Sequence, residues 1–493
     1  MTLNDHHSSP LNLLEIARNT MIHEGFDPDF PASVQAELAK LDSVNPFQTT
    51  QPRDLRQMLW SSIDNSDSRD LDQVEYAERS GDHIKVRIGI ADVDSYVSKG
   101  SAIDQQALKN TTSVYTGVKT FPMLPEKLST DITSLVEGED RLAIVIEFDV
   151  SPDGEVVPQE VYAANVRNKA KLAYDSVGKW LDNGGPLPEG IAKTPGLEPQ
   201  IKLQLEAAKR LLEARREKGA LELDTIQATP VMNESGTVVD LSVSERNSAR
   251  DIIENFMIAA NVTMSEYLNK KKVLSIQRVV RTPENWPRIV EMAEELNQSL
   301  PPQPDARALA NFLERRRKVD PDHFPDLSLA IVKLLGPGEY VAETPESRGE
   351  GHFGLAVHNY THSTAPNRRY ADLVTQRLLK SSQSNGKSPY SFSELQQIAD
   401  HCNERESAAR KVERKMRKIA AAMLLRNRVG DEFDAIVTGV TAKGTFVRTL
   451  KPPVDGLVVR GKEGLKVGQH ARVRLQATDP VNGFIDFAIV RHA

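Results

Sequence analysis

The chain has 493 residues, 39% of them hydrophobic, and a formal net charge of −7. That length suits two to four domains with sizeable cores. No run approaches the roughly 18 apolar residues of a membrane-spanning helix, so none is expected. The single cysteine, Cys402, excludes an internal disulfide framework and a cysteine-based zinc site. The start "MTLNDHHSSPLNLL" lacks the basic and apolar regions of a secretory signal, so a reducing, cytoplasmic setting is expected. The acidic balance argues against a wholesale polyanion binder and leaves nucleic-acid recognition to local basic clusters.

Residues 1–50 read as a small helical region. "LNLLEIARNTMIHEG" has helical apolar spacing and stops at a glycine, and "PASVQAELAKL" starts a second helix at Pro31. The pair is helix-turn-helix-like only in outline, because "FDPDF" between them exceeds a tight turn. The plainer reading is a packing cap on the next domain.

Residues 51–430 are expected to form a large mixed α+β body. "HIKVRIGIADVDSYV" and "RLAIVIEFDVSPDGEVV" read as strands, the second closing on an Asp-Gly turn. "IENFMIAANVTMSEYLNKK" and "FSELQQIADHCNERESAARKVERKMRKIAAAMLLRNR" read as helices, and the second is long enough that a break is expected. Its basic run "ARKVERKMRK", with Glu413 as the exception, is either a solvated face or the wall of a nucleic-acid channel. Residues 431–493 change to short strands separated by Gly, Pro and Asn turns. Five strands in about 60 residues suit an OB-type barrel. Gly444-Thr445-Phe446 places an aromatic where such barrels stack a base, although Phe446 reads equally well as core.

The stretch "SSIDNSDSRDLDQ" packs Asp64, Asp67, Asp70 and Asp72 into nine residues. Asp64, Asp70 and Asp72 are separated by even steps, and a loop folding back can converge them; Asp67 is out of phase. One reading is a solvated acidic loop. A second is a calcium loop with Asp64 first and Glu75 last, although Arg69 stands where the glycine belongs. A third is a magnesium site, in which hard cations offset the clustered charge and support phosphodiester cleavage. Such a site needs positive charge opposite the acids. "STAPNRRYADLVTQRLL" supplies Arg368 and Arg369 after Pro366 at the mouth of a helix, where a guanidinium fork suits a phosphate oxygen. Ordinary surface charge is the alternative for that pair.

Taken in order, "IDNSDSRDLDQ", "IGIADVDSYV", "SVYTGVKTFPMLPEKLSTDITSL", "NVRNKAKLAYDSV", "IENFMIAAN" and "HFGLAVHNYTHSTAPNRRYADLVTQRLL" resemble the ribonuclease II family, which carries the RNB domain and is also called the ribonuclease R family. The resemblance runs from Asp54 to Arg428, and the barrel after it is similar to the family's S1-type module. It implies a monomeric, processive, Mg²⁺-dependent exoribonuclease with one or two ions per site, Mn²⁺ being a substitute. Single-stranded RNA would be hydrolysed from its 3′ end to 5′-nucleoside monophosphates. Asp64, Asp70 and Asp72 match three of four acidic catalytic and metal positions. Gln73 occupies the fourth, where an amide oxygen can ligate but brings no charge. Arg368 matches the arginine on the scissile phosphate, although the family's "SPIR" is "APNR" here. Glu413 matches a glutamate that holds the arginine or RNA, Tyr115 an aromatic that stacks on terminal bases, and Tyr174 and Glu254 readers of the ribose. Arg369 and Phe446 join them as RNA-binding residues. Leu223 falls where some relatives carry a second stacking ring. The first 50 residues are too few for the two cold-shock barrels of many relatives. The competing reading is a catalytically weak RNA-binding protein, which Gln73 favours.

Overall fold

Apolar alternation along the strand His83–Ala91 organises the centre of the molecule. Ile84, Val86, Ile88 and Ile90 point to one face, and Gly89 and Ala91 to the other. The computed structural model of the chain describes residues 12–41, 51–225, 228–233, 238–243, 245–347, 349–384 and 386–492. In it, seven strands join in the order Arg53–Asp54, Val156–Arg167, Asp140–Val150, His83–Ala91, Gln73–Ser80, Ser61–Asp64, Ala170–Ala173. The four central pairings are antiparallel and the two outermost are parallel.

Both faces of this sheet are covered, which is why its central strands carry apolar residues on both sides. Ile63, Ala77, Ile88 and Phe148 share a core with Ile201 of helix Leu197–Lys218 and with Ile252 and Phe256 of helix Ser248–Lys270. On the opposite face Trp60, Val74 and Val145 share a core with Leu373 of helix Tyr370–Gln383 and Leu395 of helix Phe392–Leu425. A Cβ at Gly89 would lie 3.0 Å from Val74 Cγ2 and 3.8 Å from the Trp60 ring, so a larger residue there would push Trp60 off the sheet.

The helix Phe392–Leu425 runs 34 residues without interruption. The expected break is absent because the segment contains neither Gly nor Pro and one stripe stays buried along its length, from Leu395 through Cys402 and Val412 to Leu425. It starts on a Ser391 cap, whose hydroxyl accepts from Glu394 N at 3.2 Å.

The two N-terminal helices are absorbed into the body, each into a different core. Leu13, Ala17 and Met21 of Leu13–His23 pack with Val412 and Met416 of the long helix, while Val34 and Leu38 of Ala32–Leu38 join the Trp60 core. Arg405 clamps the link between them, donating to Glu24 O at 2.9 Å. Both helices thus bury apolar stripes against the body, as a packing cap does.

At the other end, strands Glu432–Thr441, Gly444–Thr449, Asp455–Arg460, Phe484–His492 and His470–Asp479 close into a five-stranded barrel. Phe433, Val447 and Phe487 fill it, and Ala421, Ala422 and Leu425 of the long helix enter the same core. One continuous helix thus connects the barrel to the sheet-centred body.

Candidate active site

The acidic stretch is neither a solvated loop nor a calcium loop. Leu71 and Asp72 are each only 3% exposed. Glu75, which a calcium loop would need as its last ligand, is fully buried in the strand Gln73–Ser80 opposite Ser61. Strand follows where that loop requires helix.

Asp64 closes the strand Ser61–Asp64, and its Oδ1 accepts from Asn65 N at 2.7 Å and Ser68 Oγ at 3.0 Å. Lys171 reaches under the turn and donates to the carbonyl oxygens of Ser66 (3.0 Å) and Ser68. The return half hangs on the segment 133–135. Leu71 N donates to Ser134 Oγ at 3.0 Å, and Ser134 Oγ donates to Arg69 O at 2.7 Å. These contacts fold the loop back so that Asp70 and Asp72 come round towards Asp64. Asp67 stays exposed.

A second loop meets this one. Asn367 N donates to Asp72 Oδ1 at 3.2 Å, and Arg368 Nε donates to Asp72 Oδ2 at 3.1 Å. The Asn367 side chain is buried and donates to Thr133 O at 3.1 Å, while Thr133 Oγ1 donates back to Asn367 Oδ1. Ser113 N donates to Arg368 O at 3.0 Å. Arg368 is therefore held at its backbone, while its side chain remains 42% exposed. Arg369 points elsewhere: its Nη2 donates to Asp372 Oδ1 at 2.7 Å, an ion pair inside the protein.

Tyr115 joins from a third segment and Glu413 from a fourth. The Tyr115 hydroxyl donates to Asp70 Oδ2 at 3.3 Å, its backbone N donates to Glu413 Oε1 at 3.1 Å, and its ring is 43% exposed. Tyr115, Arg368, Arg369, Arg410 and Glu413 line a cavity of about 270 Å³. Tyr174 begins helix Tyr174–Asn183 beneath the Arg250 guanidinium, 4.4 Å from its ring centroid. It borders a larger cavity of about 750 Å³ with Asn65, Ser66 and Asp67. Glu254 lies on helix Ser248–Lys270 and pairs with Arg215 at 3.5 Å, not with the aspartates' partners. Leu223 packs beside Trp286 and Phe312 and offers no ring.

Electrostatics follow from the burial. Burial pushes the Asp72 carboxyl up to about 7, although the Arg368 charge pulls it down. Burial also raises Asp64 and Glu413, and lifts the Tyr115 hydroxyl beside Asp70 and Asp72. The free donors around Asp64, Asp70, Asp72 and Gln73 are hard oxygens, the set Mg²⁺ prefers. Among the described residues no three His, Cys, Asp or Glu side chains converge to metal-binding distance.

Two features escaped the sequence reading. Asn367 and Thr133 lock the two loops together, and only an unusual Asn after Pro366 hinted at it. Phe484, after the Asn482-Gly483 turn, is 61% exposed on the barrel, whereas Phe446 is half-buried on the barrel's outside with its ring against Gly439. A Cβ at Gly483 would lie 2.9 Å from Lys418 Cβ, so the turn before Phe484 is seated against Lys418 of the long helix.

The family described as RNB domain matches residues 52–385, and that described as RNase II-type exonuclease C-terminal S1 domain matches residues 431–490. The chain is 31% identical to Ribonuclease R of Thermotoga maritima, over 94% of this chain and 68% of that protein. It is 29% identical to Ribonuclease R of Escherichia coli, over 94% of this chain and 60% of that protein, so it spans well under the full length of these relatives. The fold is similar to that of apo Mycoplasma genitalium RNase R, with a TM-score of 0.85 at 23% identity, over 97% of this chain and 78% of that one. It is also similar to yeast Ssd1, described as a pseudonuclease, with a TM-score of 0.66 at 16% identity, over 92% of this chain and 56% of that one.

Proposed function

The chain belongs to the RNB domain family, and from that premise we propose that it is a 3′-to-5′ exoribonuclease. It hydrolyses single-stranded RNA processively to 5′-nucleoside monophosphates, with one or two Mg²⁺ ions at the aspartates. It acts as a monomer in the cytoplasm. The observation that carries this reading is the joining of four distant segments at one point. Asp70 and Asp72 touch Tyr115 and Arg368, and Tyr115 in turn touches Glu413.

Each residue has a task that its geometry supports. Arg368 uses Nε on Asp72, and its side chain is 42% exposed, so its terminal nitrogens can take a phosphate oxygen and the charge that grows on it. The exposed Tyr115 ring gives a terminal base a stacking surface that is indifferent to sequence. Asp64 and Asp70 supply carboxylate oxygens on either side of the turn, and Gln73 a neutral amide. When bound, Mg²⁺ supplies Lewis-acid charge and makes water a better nucleophile at neutral pH. Phe484 and the basic face of the long helix give the incoming strand a stacking and phosphate-binding surface outside the cavity.

Mycoplasma genitalium RNase R has been solved with ribose-methylated single-stranded RNA and with double-stranded RNA, which agrees with an RNA substrate. The neutral Gln73 favours one alternative, a protein that holds RNA without cutting it. End-labelled single-stranded RNA incubated with Mg²⁺ decides between them. Stepwise release of 5′-monophosphates from the 3′ end is expected. Retention of RNA without shortening would replace the enzyme by the binder.

A further inference from the structure

A contact between two histidines joins parts of the chain that are built on separate cores. Between strands Ser275–Val279 and Glu339–Glu343 the chain inserts the helices Trp286–Glu295, Ala306–Val319 and Phe324–Leu335, packed around Trp286, Phe312 and Ile331. His323 immediately precedes the last of these helices, and His470 opens the barrel strand His470–Asp479. Their Nε2 atoms lie 2.6 Å apart, and the rings stand at 86° with centroids 4.7 Å apart. That centroid separation is close to the largest the nitrogen contact allows. The two nitrogens therefore point at each other, and the rings do not stack.

Asp320 accepts from His323 Nδ1, an arrangement that puts the His323 lone pair on Nε2. His470 Nε2–H then donates to it. A carboxylate on the far nitrogen is also the support that metal-ligating histidines ordinarily have. Both histidines are only half-buried, so an ion can reach them from solvent. The seam around the pair has room to adjust. Arg448 and His470 flank Ile436 on its two neighbouring strands, and Asp326 stands one turn after His323. Arg448 Nη1 and Asp326 Oδ1 approach only to 4.0 Å, and neither has a hydrogen-bond partner among the described residues.

We propose that His323 Nε2 and His470 Nε2 hold one Zn²⁺ ion, which fastens the barrel to the helical insertion. Imidazole nitrogen suits this borderline ion, whereas Mg²⁺ prefers the oxygens of the aspartates. Zinc–nitrogen bonds of about 2.0–2.1 Å set tetrahedral ligands about 3.3 Å apart, so the two nitrogens part by about 0.7 Å as the ion enters. No proton is released, because the one shared between the rings passes through solvent to His470 Nδ1. Among the described residues no third His, Cys, Asp or Glu joins them at metal-binding distance, so water completes the shell. The site uses none of the residues of the acidic cluster, and it stands independently of the exoribonuclease reading.

The test uses the full chain in excess Mg²⁺, which occupies the aspartates. It carries His6→Ala and His7→Ala, because the adjacent histidines of "NDHHSS" would themselves take up a transition metal. Cu²⁺, which binds imidazole more tightly than Zn²⁺, is the spectroscopic probe. One equivalent is expected to give an electron paramagnetic resonance spectrum with the splitting of two imidazole nitrogens, and Zn²⁺ is expected to displace it. His323→Ala and His470→Ala should each remove that pattern. Each should also weaken Zn²⁺ binding, read by competition with a chromophoric chelator, about tenfold or more. Zn²⁺ should raise the thermal unfolding midpoint of the parent and of neither variant. The two histidines sit on different cores, so a folding defect in one variant leaves the other decisive. A two-nitrogen spectrum that survives both substitutions, or equal Zn²⁺ affinity in parent and variants, would overturn the proposal. So would a parent spectrum with oxygen donors alone.

Discussion

Asp72→Asn removes a charge from the most deeply buried of the three aspartates at almost constant volume. The side chain is held by Asn367 N and Arg368 Nε, and burial raises its carboxyl from the ordinary 3.8 to about 7. The unfolded chain releases this proton near the ordinary value and the folded one near neutrality. Between those limits the native state therefore binds the extra proton, and wild-type stability falls as pH rises, levelling off above the folded value. A full pH unit in that window is worth about 1.4 kcal/mol, and the slope halves as the folded value is reached, so this one group removes about 2 kcal/mol between about pH 5 and pH 7. Asparagine does not titrate. Its amide oxygen still accepts from Asn367 N, and Arg368, already 42% exposed, can turn to solvent at modest cost. In chelator, urea unfolding should therefore show Asp72→Asn gaining about 2 kcal/mol on the wild type between those pH values. Adding Mg²⁺ at neutral pH should narrow the gap, because only the wild type has the carboxylate to stabilise. RNA hydrolysis should be abolished with RNA binding retained. A difference independent of pH would refute the reasoning, since it would mean that Arg368 already keeps the carboxyl ionised at about pH 5.

Other perturbations probe separate parts of the site and fold. Arg368→Lys keeps the charge but loses the planar fork, and single-turnover hydrolysis should slow by about two orders of magnitude with little change in RNA affinity. Tyr115→Ala removes a stacking ring worth about 1–3 kcal/mol per base, so filter binding of short single strands should weaken about tenfold or more. On the barrel, Phe484→Ala should weaken RNA binding more than Phe446→Ala, because Phe484 is 61% exposed and Phe446 is half-buried; the reverse order would place the stacking surface on the other strand. Arg377, 3% exposed, bridges Asp104 at 2.8 Å and Asp94 at 3.0 Å. Arg377→Met should lower stability by about 3–5 kcal/mol in urea unfolding, by leaving the buried Asp104 carboxylate without its cation.

Much of this architecture was legible because it depends on local rules. The alternation in "HIKVRIGIA" and the Asp-Gly turn after "RLAIVIEFDV" gave strands where strands exist. The turn-separated strands after residue 431 closed into the expected barrel. The ordered motifs named the family. The long helix was misjudged because helix length alone is weak grounds for a break when no Gly or Pro is present and one stripe stays buried. The N-terminal helices showed their apolar stripes in sequence, but not the surfaces those stripes cover.

The amino-acid sequence by itself determined the element types, the order of the RNB and S1 regions and which side chains are candidates for the site. Those follow from periodicity, turn residues and spacing along the chain. Only the tertiary structure decided which of those side chains act together. It separated Arg368, beside Asp72, from Arg369, tied to Asp372, although the two are neighbours in sequence. It brought Tyr115 between Asp70 and Glu413, which lie far apart along the chain. It also exposed Glu75 as a buried acid without a hydrogen-bond partner among the described residues, a fact invisible in "DQVEYAE". Burial and partnership are properties of the surroundings that a fold builds from distant segments, and no local pattern encodes them.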